Sequence, residues 1–223
     1  DIQMKKIFIT LALAGILSAS VAEAAEIQAS APVVAADAHA ITTKIEKANS
    51  SMTTVECKFS QVRTIKASGK VNKASGNLYF NVDGRLAMRF DQPVGDYIIA
   101  SGTKFYVHRG PKTGTFDTQK NATVGNMAGT LIGCVKGNPE KVAADNGAQI
   151  SVKESGDGYV VTLTNDNAAR RGYSKIVLTY RKSDCLLVKM VMDEPTGIST
   201  LYEMKNIKKN ASFPDDVFKL PAK

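Results

Sequence analysis

The sequence predicts a mainly β (α+β) protein, in which a strongly curved antiparallel sheet forms an unclosed β-barrel of about ten or eleven strands covered by short helices. Two observations support this fold class. Strand-length segments with alternating apolar and polar residues recur at steady spacing between turn residues. Helical patterns are confined to one segment before the strands and one insert between them. Because strands twist, a large antiparallel sheet of this kind curls on itself.

The clearest pattern predicts three consecutive strands over residues 76–102. After the first of these strands, Asp83-Gly84 favours a tight hairpin, since glycine readily adopts a positive φ. Gln92-Pro93 ends the second strand, because proline has no amide donor for pairing. On one face, the first two strands carry the large apolar side chains Leu78, Phe80, Leu86, Met88 and Phe90. That face requires either a packed core or a bound guest.

The remaining strands are predicted from the same alternation. The first is expected over residues 54–66, with Val55, Cys57, Phe59 and Gln61 on one side and Glu56, Lys58 and Ser60 on the other. Later strands are predicted over residues 104–109, 149–154, 159–164, 174–181, 186–192 and 199–207. A helix is predicted over residues 37–52 with Asp37 as its N-cap.

The strand pattern breaks over residues 116–144. Residues 121–129 have the composition of a loop, and residues 129–135 form an apolar run long enough for one or two helical turns. Pro139 can begin a further helical turn, because its fixed φ suits that position. The insert is either a movable cover over the sheet or a plug that completes a core, and the sequence leaves both open.

The first residues match an export signal. Lys5-Lys6 precede an apolar run over residues 7–17, and Ala22-Glu23-Ala24 is a small-residue cleavage site. The apolar run is too short to span a bilayer, and no cysteine at the cleavage point indicates a lipid anchor. We expect a signal peptide with a short N-terminal extension over residues 1–24, a flexible leader over 25–36, and a single domain over 37–223 outside the cytoplasm.

The composition favours a binding protein over an enzyme. The two histidines lie in no catalytic or metal-ligating pattern, and the chain has no phosphate loop, so no cofactor or metal is expected. The net charge of +8 is dispersed rather than clustered, which argues against nucleic acid. Cys57, Cys134 and Cys185 fit neither a disulfide framework nor a zinc site. Free buried thiols are favoured over a bridge between Cys57 and Cys185.

Several segments, taken in order, resemble the periplasmic outer-membrane lipoprotein carrier family, LolA. The resemblance covers residues 38–221 and rests on Phe59-Ser60-Gln61, Gly76-Asn77-Leu78-Tyr79-Phe80, Gln92-Pro93, Ile98-Ile99-Ala100-Ser101-Gly102, Lys104-Phe105-Tyr106-Val107 and Phe218-Lys219-Leu220-Pro221. It implies an unclosed barrel with an apolar concave side beneath helices. It also implies a periplasmic carrier that passes triacylated lipoproteins from an inner-membrane transporter to an outer-membrane acceptor. We expect the protein to be a monomer.

The resemblance also implies the location of a site. It places an acyl-chain cavity at Phe59, Leu78, Phe80, Leu86, Met88, Phe90 and Ile98. The cover would include Met127, Leu131 and Ile132. Apolar strand faces are also commonly plain core, but methionines at inward strand positions suit flexible guests, because their side chains adapt in shape.

One position departs from the family pattern. Where family members have an arginine that holds the cover closed, this chain has Val82, and Asp83 follows in place of a proline. Arg85 and Arg89 are expected to point away from the cavity. We therefore expect the cover to be held by apolar contacts of Met127 and Leu131 alone, and the empty cavity to open transiently.

Two other functions remain open for the same fold. One is an envelope regulator that senses lipids or lipoproteins and binds a membrane partner. The other is a carrier of a different amphiphile, such as a glycolipid. The sequence favours the lipoprotein carrier over both.

Overall fold

The computed structural model describes residues 35–168 and 172–220. The predicted signal peptide, and the predicted leader as far as residue 34, lie outside the described residues. The helices are α1 (Ala35–Asn49), α2 (Ala122–Lys136), α3 (Pro139–Asp145) and a 3₁₀ helix (Asp215–Phe218). Within these residues no helix has both the length and the apolar character needed to cross a membrane.

Eleven strands of the described residues form one antiparallel sheet. They are β1 (Thr54–Ile65), β2 (Lys70–Asn81), β3 (Arg85–Gln92), β4 (Tyr97–Ser101), β5 (Lys104–Arg109), β6 (Lys112–Asp117), β7 (Gln149–Ser155), β8 (Gly158–Thr164), β9 (Lys175–Arg181), β10 (Leu187–Asp193) and β11 (Ile198–Lys209). Their order is β6-β5-β4-β3-β2-β1-β11-β10-β9-β8-β7. Strands β6 and β7 are the two edges and do not pair in the described part of the chain, so the barrel is unclosed. The predicted fold class is confirmed.

Two strand predictions need correction. Strand β2 begins at Lys70, whereas the alternation predicts a strand only from Gly76. Strand β6 was not predicted, because its sequence KTGTFD lacks alternation and contains a glycine. It forms by pairing along the whole of β5, so a neighbouring strand rather than its own pattern selects the conformation.

Helix α2 replaces the loop predicted over residues 121–129. The Asn121 side-chain oxygen caps it by accepting a 3.1 Å hydrogen bond from the amide of Val124. Gly137 follows the last helical residue as the C-cap, and its φ of 77° suits glycine. Two glycines and a threonine give the first turns weak helix propensity, and burial of one face against the core outweighs it.

Helix α1 begins earlier than predicted. It starts at Ala35, so Asp37 lies in its first turn rather than at its N-cap. An acidic side chain is still favourable at that point, because the helix dipole is positive there. Helix α3 begins at Pro139, as predicted.

The alternation predicts that the convex face of β3 and β4 is exposed to water. Part of that face is instead covered. Ala87 and Ile99 are buried there beneath Phe218 of the 3₁₀ helix. Arg89 holds this segment, since its Nε donates a 2.8 Å hydrogen bond to the carbonyl of Val217. Arg85 and Arg89 therefore point away from the concave face, as predicted.

Candidate functional site

The predicted lining residues lie together on the concave face. Cross-strand pairing joins Phe80 to Leu86 and Leu78 to Met88, and Met88 pairs in turn with Ile98 on β4. Directly paired residues point to the same face of a sheet, so these five form two adjacent apolar rows. Four of them are buried, and Ile98 is partly buried against the same core.

Phe59 and Phe90 complete the lining, although they lie on strands that are not neighbours. Gly76 on β2 pairs with both of them. A Cβ atom at Gly76 would lie 2.0 Å from the carbonyl oxygen of Arg89, so only glycine permits this approach of β2 and β3. No side chain on β2 separates the two rings here, and they meet edge to face with centroids 5.1 Å apart.

The concave interior is almost filled by side chains. It contains a cavity of about 10 Å³, enough for about one water molecule. The cavity is lined by Val55, Cys57, Leu78, Val135, Leu186, Leu187, Met204 and Ile207. A long acyl chain cannot enter without displacement of the helices, so the candidate site is the interface between the concave face and its cover.

The predicted cover residues lie on α2. Leu131 is buried in the main core, Ile132 is partly buried against it, and Met127 is half-buried nearer the start of the helix. Val135, which was not predicted, lines the small cavity together with strand residues. The C-terminal half of α2 thus makes the closest contact with the lining.

Hydrogen bonds also attach the cover to the sheet. The hydroxyl of Tyr180 on β9 donates a 3.0 Å hydrogen bond to the carbonyl of Cys134 in α2. Burial raises the pKa of Tyr180 well above its ordinary value, so this hydroxyl remains a donor. The side chain of Asn165 donates a 2.6 Å bond to the carbonyl of Asn146 at the end of α3.

The expectation that apolar contacts of Met127 and Leu131 alone hold the cover is therefore wrong. Val82 takes no part in these attachments: it is 44% exposed on the β2–β3 hairpin, where its amide pairs with the carbonyl of Thr53. The sequence could not reveal this bond, because the partner of Tyr180 is a main-chain oxygen 46 positions away, and every residue has such an oxygen.

Two further contacts join the helices to each other and to the sheet. The carboxylate of Glu140 in α3 accepts hydrogen bonds from Thr42 and from His39 in α1. The side chain of Asn49 at the end of α1 donates a 2.8 Å bond to the carbonyl of Cys185. The helices therefore form one connected cover.

All three cysteines are free and buried, as the sequence favoured. Burial raises the pKa of Cys57 and of Cys134 to about 12. These thiols stay protonated at neutral pH and behave as small apolar groups.

A polar cluster lies at one end of the concave face. Arg109 on β5 donates from Nε to Asp96 at 3.0 Å, and from both terminal nitrogens to the side-chain oxygen of Gln61 at 3.2 Å. Gln61 on β1 donates in turn to the hydroxyl of Tyr202 at 2.8 Å. Three strands separate β5 from β1 in the sheet, so the cluster reaches across the concavity.

The sequence pattern does not mark this cluster as a site. Alternation places Gln61 on the same side of the first strand as Val55, Cys57 and Phe59, but it indicates no role for Gln61. Arg109 follows Phe105 and Val107 at alternate positions, which is the signal that it also faces inward. Its guanidinium lies 4.0 Å from the centroid of the Phe90 ring, in cation–π geometry.

An unclosed antiparallel sheet whose apolar concave face lies beneath helices defines a class of open-barrel proteins. The family model of the outer membrane lipoprotein carrier protein LolA matches residues 50–221. The chain belongs to this family, and its superfamily fold is consistent with lipoprotein or lipid binding. A search of curated protein sequences gives no match.

Solved structures similar to this chain share little sequence with it. A DUF1329 family protein from Desulfovibrio piger is 14% identical, over 82% of this chain and 96% of that one, with a TM-score of 0.46. A LolA superfamily protein from Nitrosomonas europaea is 11% identical, over 82% and 97%, with a TM-score of 0.40. The MucA/MucB complex structure from Pseudomonas aeruginosa matches at 14% identity, over 84% and 61%, with a TM-score of 0.46. At these values the likenesses carry no functional argument.

Proposed function

We propose that this protein is a periplasmic carrier that takes the acyl chains of lipoproteins into its concave interior and transfers them towards the outer membrane. The observation that carries the proposal is the pair of adjacent apolar rows on the concave face, which lie directly beneath a cover of helices. Membership of the carrier family over residues 50–221 supports it.

The acyl chains would contact the two apolar rows and the Phe59–Phe90 pair. These residues are Phe59, Leu78, Phe80, Leu86, Met88, Phe90 and Ile98, with Met127, Leu131 and Ile132 contributed by α2. Met88 lies in the middle of β3 between Leu86 and Phe90. Its flexible thioether side chain can adapt to guests of different shape.

The closed interior supports reversible binding. Each buried methylene contributes roughly 0.8 kcal/mol, so one long chain would contribute about 10 kcal/mol if it entered an empty cavity. Here the chain must first displace packed side chains and the cover, which offsets much of that gain. The cargo would then be held firmly enough to cross the periplasm and weakly enough to be released.

The proposal includes the cellular route. Export would remove the segment ending at Ala24, and the carrier would receive cargo from an inner-membrane transporter and deliver it to an outer-membrane acceptor. N-terminal sequencing of the exported protein should find Ala25 or a residue close to it. A retained apolar N-terminus would contradict the proposed location.

A transfer experiment tests the function directly. Donor vesicles would contain a fluorescent triacylated lipopeptide, and acceptor vesicles would be separated from them by a membrane that passes the protein but not vesicles. We expect the protein to accelerate transfer, and to copurify with acylated material when isolated without detergent. Binding without transfer would instead support a sensor, and the absence of both would contradict an acyl-binding role.

A further inference from the structure

The polar cluster is unusual because it is built into an otherwise apolar concave face. Asp96, Gln61 and Tyr202 are all more than nine-tenths buried. Burying such groups is unfavourable unless their donors and acceptors form hydrogen bonds. Any donor in the cluster without a protein acceptor therefore indicates where a ligand could bind.

The cluster has more donors than acceptors. Both Asp96 oxygens and the side-chain oxygen of Gln61 accept hydrogen bonds, from Arg109 and from the amide of Gly110. Three of the five N–H groups of an arginine are thereby engaged, and one of the two amide hydrogens of Gln61 is used on Tyr202. For the remaining hydrogens of Arg109, Gln61 and Tyr202, the described residues provide no acceptor.

The charge and position of the cluster restrict what could supply that acceptor. Asp96 balances the charge of Arg109, so the cluster suits a neutral acceptor as well as an anion. The Arg109 side chain is 29% exposed, which opens the cluster to solvent at the end of the concave face. Its other side contacts Phe90, which lies at one end of the proposed acyl-chain lining.

We propose that Arg109, Gln61 and Tyr202 form a subsite for the ester and amide carbonyl groups at the polar end of an acylated cargo. This inference rests on the proposed function and adds an orientation to it. The carbonyl groups would bind at the Arg109 end, and the chains would run past Phe90 along the inward residues of β3 towards Leu86. A carbonyl oxygen accepts hydrogen bonds and donates none, which matches the surplus of donors in the cluster.

The test compares two lipids that differ only in carbonyl groups. A pyrene-labelled diacylglycerol has two ester carbonyls, and the matching dialkyl ether has none. The variants are Arg109→Lys, which keeps the charge beside Asp96 but loses the fork of donors, and Tyr202→Phe, which loses one hydroxyl. Arg85→Lys on the convex face is the matched control, and thermal melting checks that each variant folds.

We expect each cluster variant to bind the diacylglycerol about tenfold more weakly, the effect of losing a hydrogen bond to a charged or buried group. Binding of the dialkyl ether should be unchanged, as should both affinities of Arg85→Lys. Equal losses for both lipids would show a purely structural role and overturn the subsite, as would unchanged diacylglycerol binding in both variants. If the wild type binds neither lipid, the proposed function itself fails.

Discussion

The hydroxyl of Tyr180 lies 3.0 Å from the main-chain oxygen of Cys134 and joins the sheet to helix α2. The two residues are 46 positions apart in the sequence, and their contact is buried. It ties the C-terminal half of α2 to the concave face, close to the small cavity that Val135 lines. Opening of α2 must break this bond.

Tyr180→Phe should loosen the cover without removing its packing. The Cys134 carbonyl still accepts a bond from Gly137, so we expect a loss of only about 1 kcal/mol in the free energy of unfolding. Hydrogen exchange in α2 should accelerate, and uptake of a fluorescent fatty acid should become faster. Tyr79→Phe on the convex face is the control. Unchanged exchange in α2 would contradict a role for Tyr180 in holding the cover.

Met88→Glu separates a ligand cavity from a fixed core. Met88 is 2% exposed, so the new carboxylate is tolerated only if the cover can lift and let it hydrate. We expect acyl-probe binding to be abolished while a cooperative melting transition is retained. Met88→Leu should retain both, because it nearly conserves volume. Loss of the transition together with binding would favour plain core.

Gly76→Ala tests the close approach of β2 and β3. The added methyl group would lie 2.7 Å from the Cα of Phe90 as well as against the Arg89 carbonyl, so the strands must separate. We expect a loss of about 3 kcal/mol in the free energy of unfolding. Gly129→Ala on α2 is the control, since nothing lies within 4 Å of its added Cβ and a helix gains from alanine. Equal melting temperatures for the two variants would contradict the steric argument.

The buried thiols should report on cover movement. With a pKa of about 12, the Cys134 thiol is ionised to only about one part in 10⁴ at pH 8, and the thiolate is the reactive form. We expect iodoacetamide to alkylate Cys134 slowly in the empty protein and faster during acyl-chain loading. Peptide mass spectrometry measures the extent of alkylation at each cysteine. Cys57 lines the small cavity together with Val135 of α2, so its alkylation should accelerate as well. Rapid labelling of both in the empty protein would show an interior already open.

Glu140 should make the junction between α1 and α3 depend on pH. The hydrogen bond from Thr42, and then that from His39, lowers the pKa of Glu140 below its usual value of 4.5. A carboxyl group with a lowered folded-state pKa stabilises the protein above that usual value, and the contribution disappears as pH falls through the folded-state pKa. Glu140→Gln should therefore melt at a lower temperature than the wild type at about pH 7. The difference should shrink as the pH falls through the folded-state pKa of Glu140. A difference that persists in acid would contradict this account.

The sequence by itself determined the fold class, most of the strands and which side of β2 and β3 carries the large apolar residues. Alternation is a local property, because successive side chains of a strand point to opposite faces whatever the rest of the chain does. Leu86, Met88 and Phe90 could therefore be assigned to one face from their spacing alone. Their function as an acyl-chain lining remains a proposal.

Only the tertiary structure decided what lies against that face. Residues 122–129 have weak helix propensity, and they form part of α2 because a helix buries Ala128 and its neighbours against the sheet. The contact of Arg109 with Gln61 joins residues 48 positions apart across three intervening strands. It exists because the sheet curves, and curvature is the summed twist of many strand pairs, which no local pattern records.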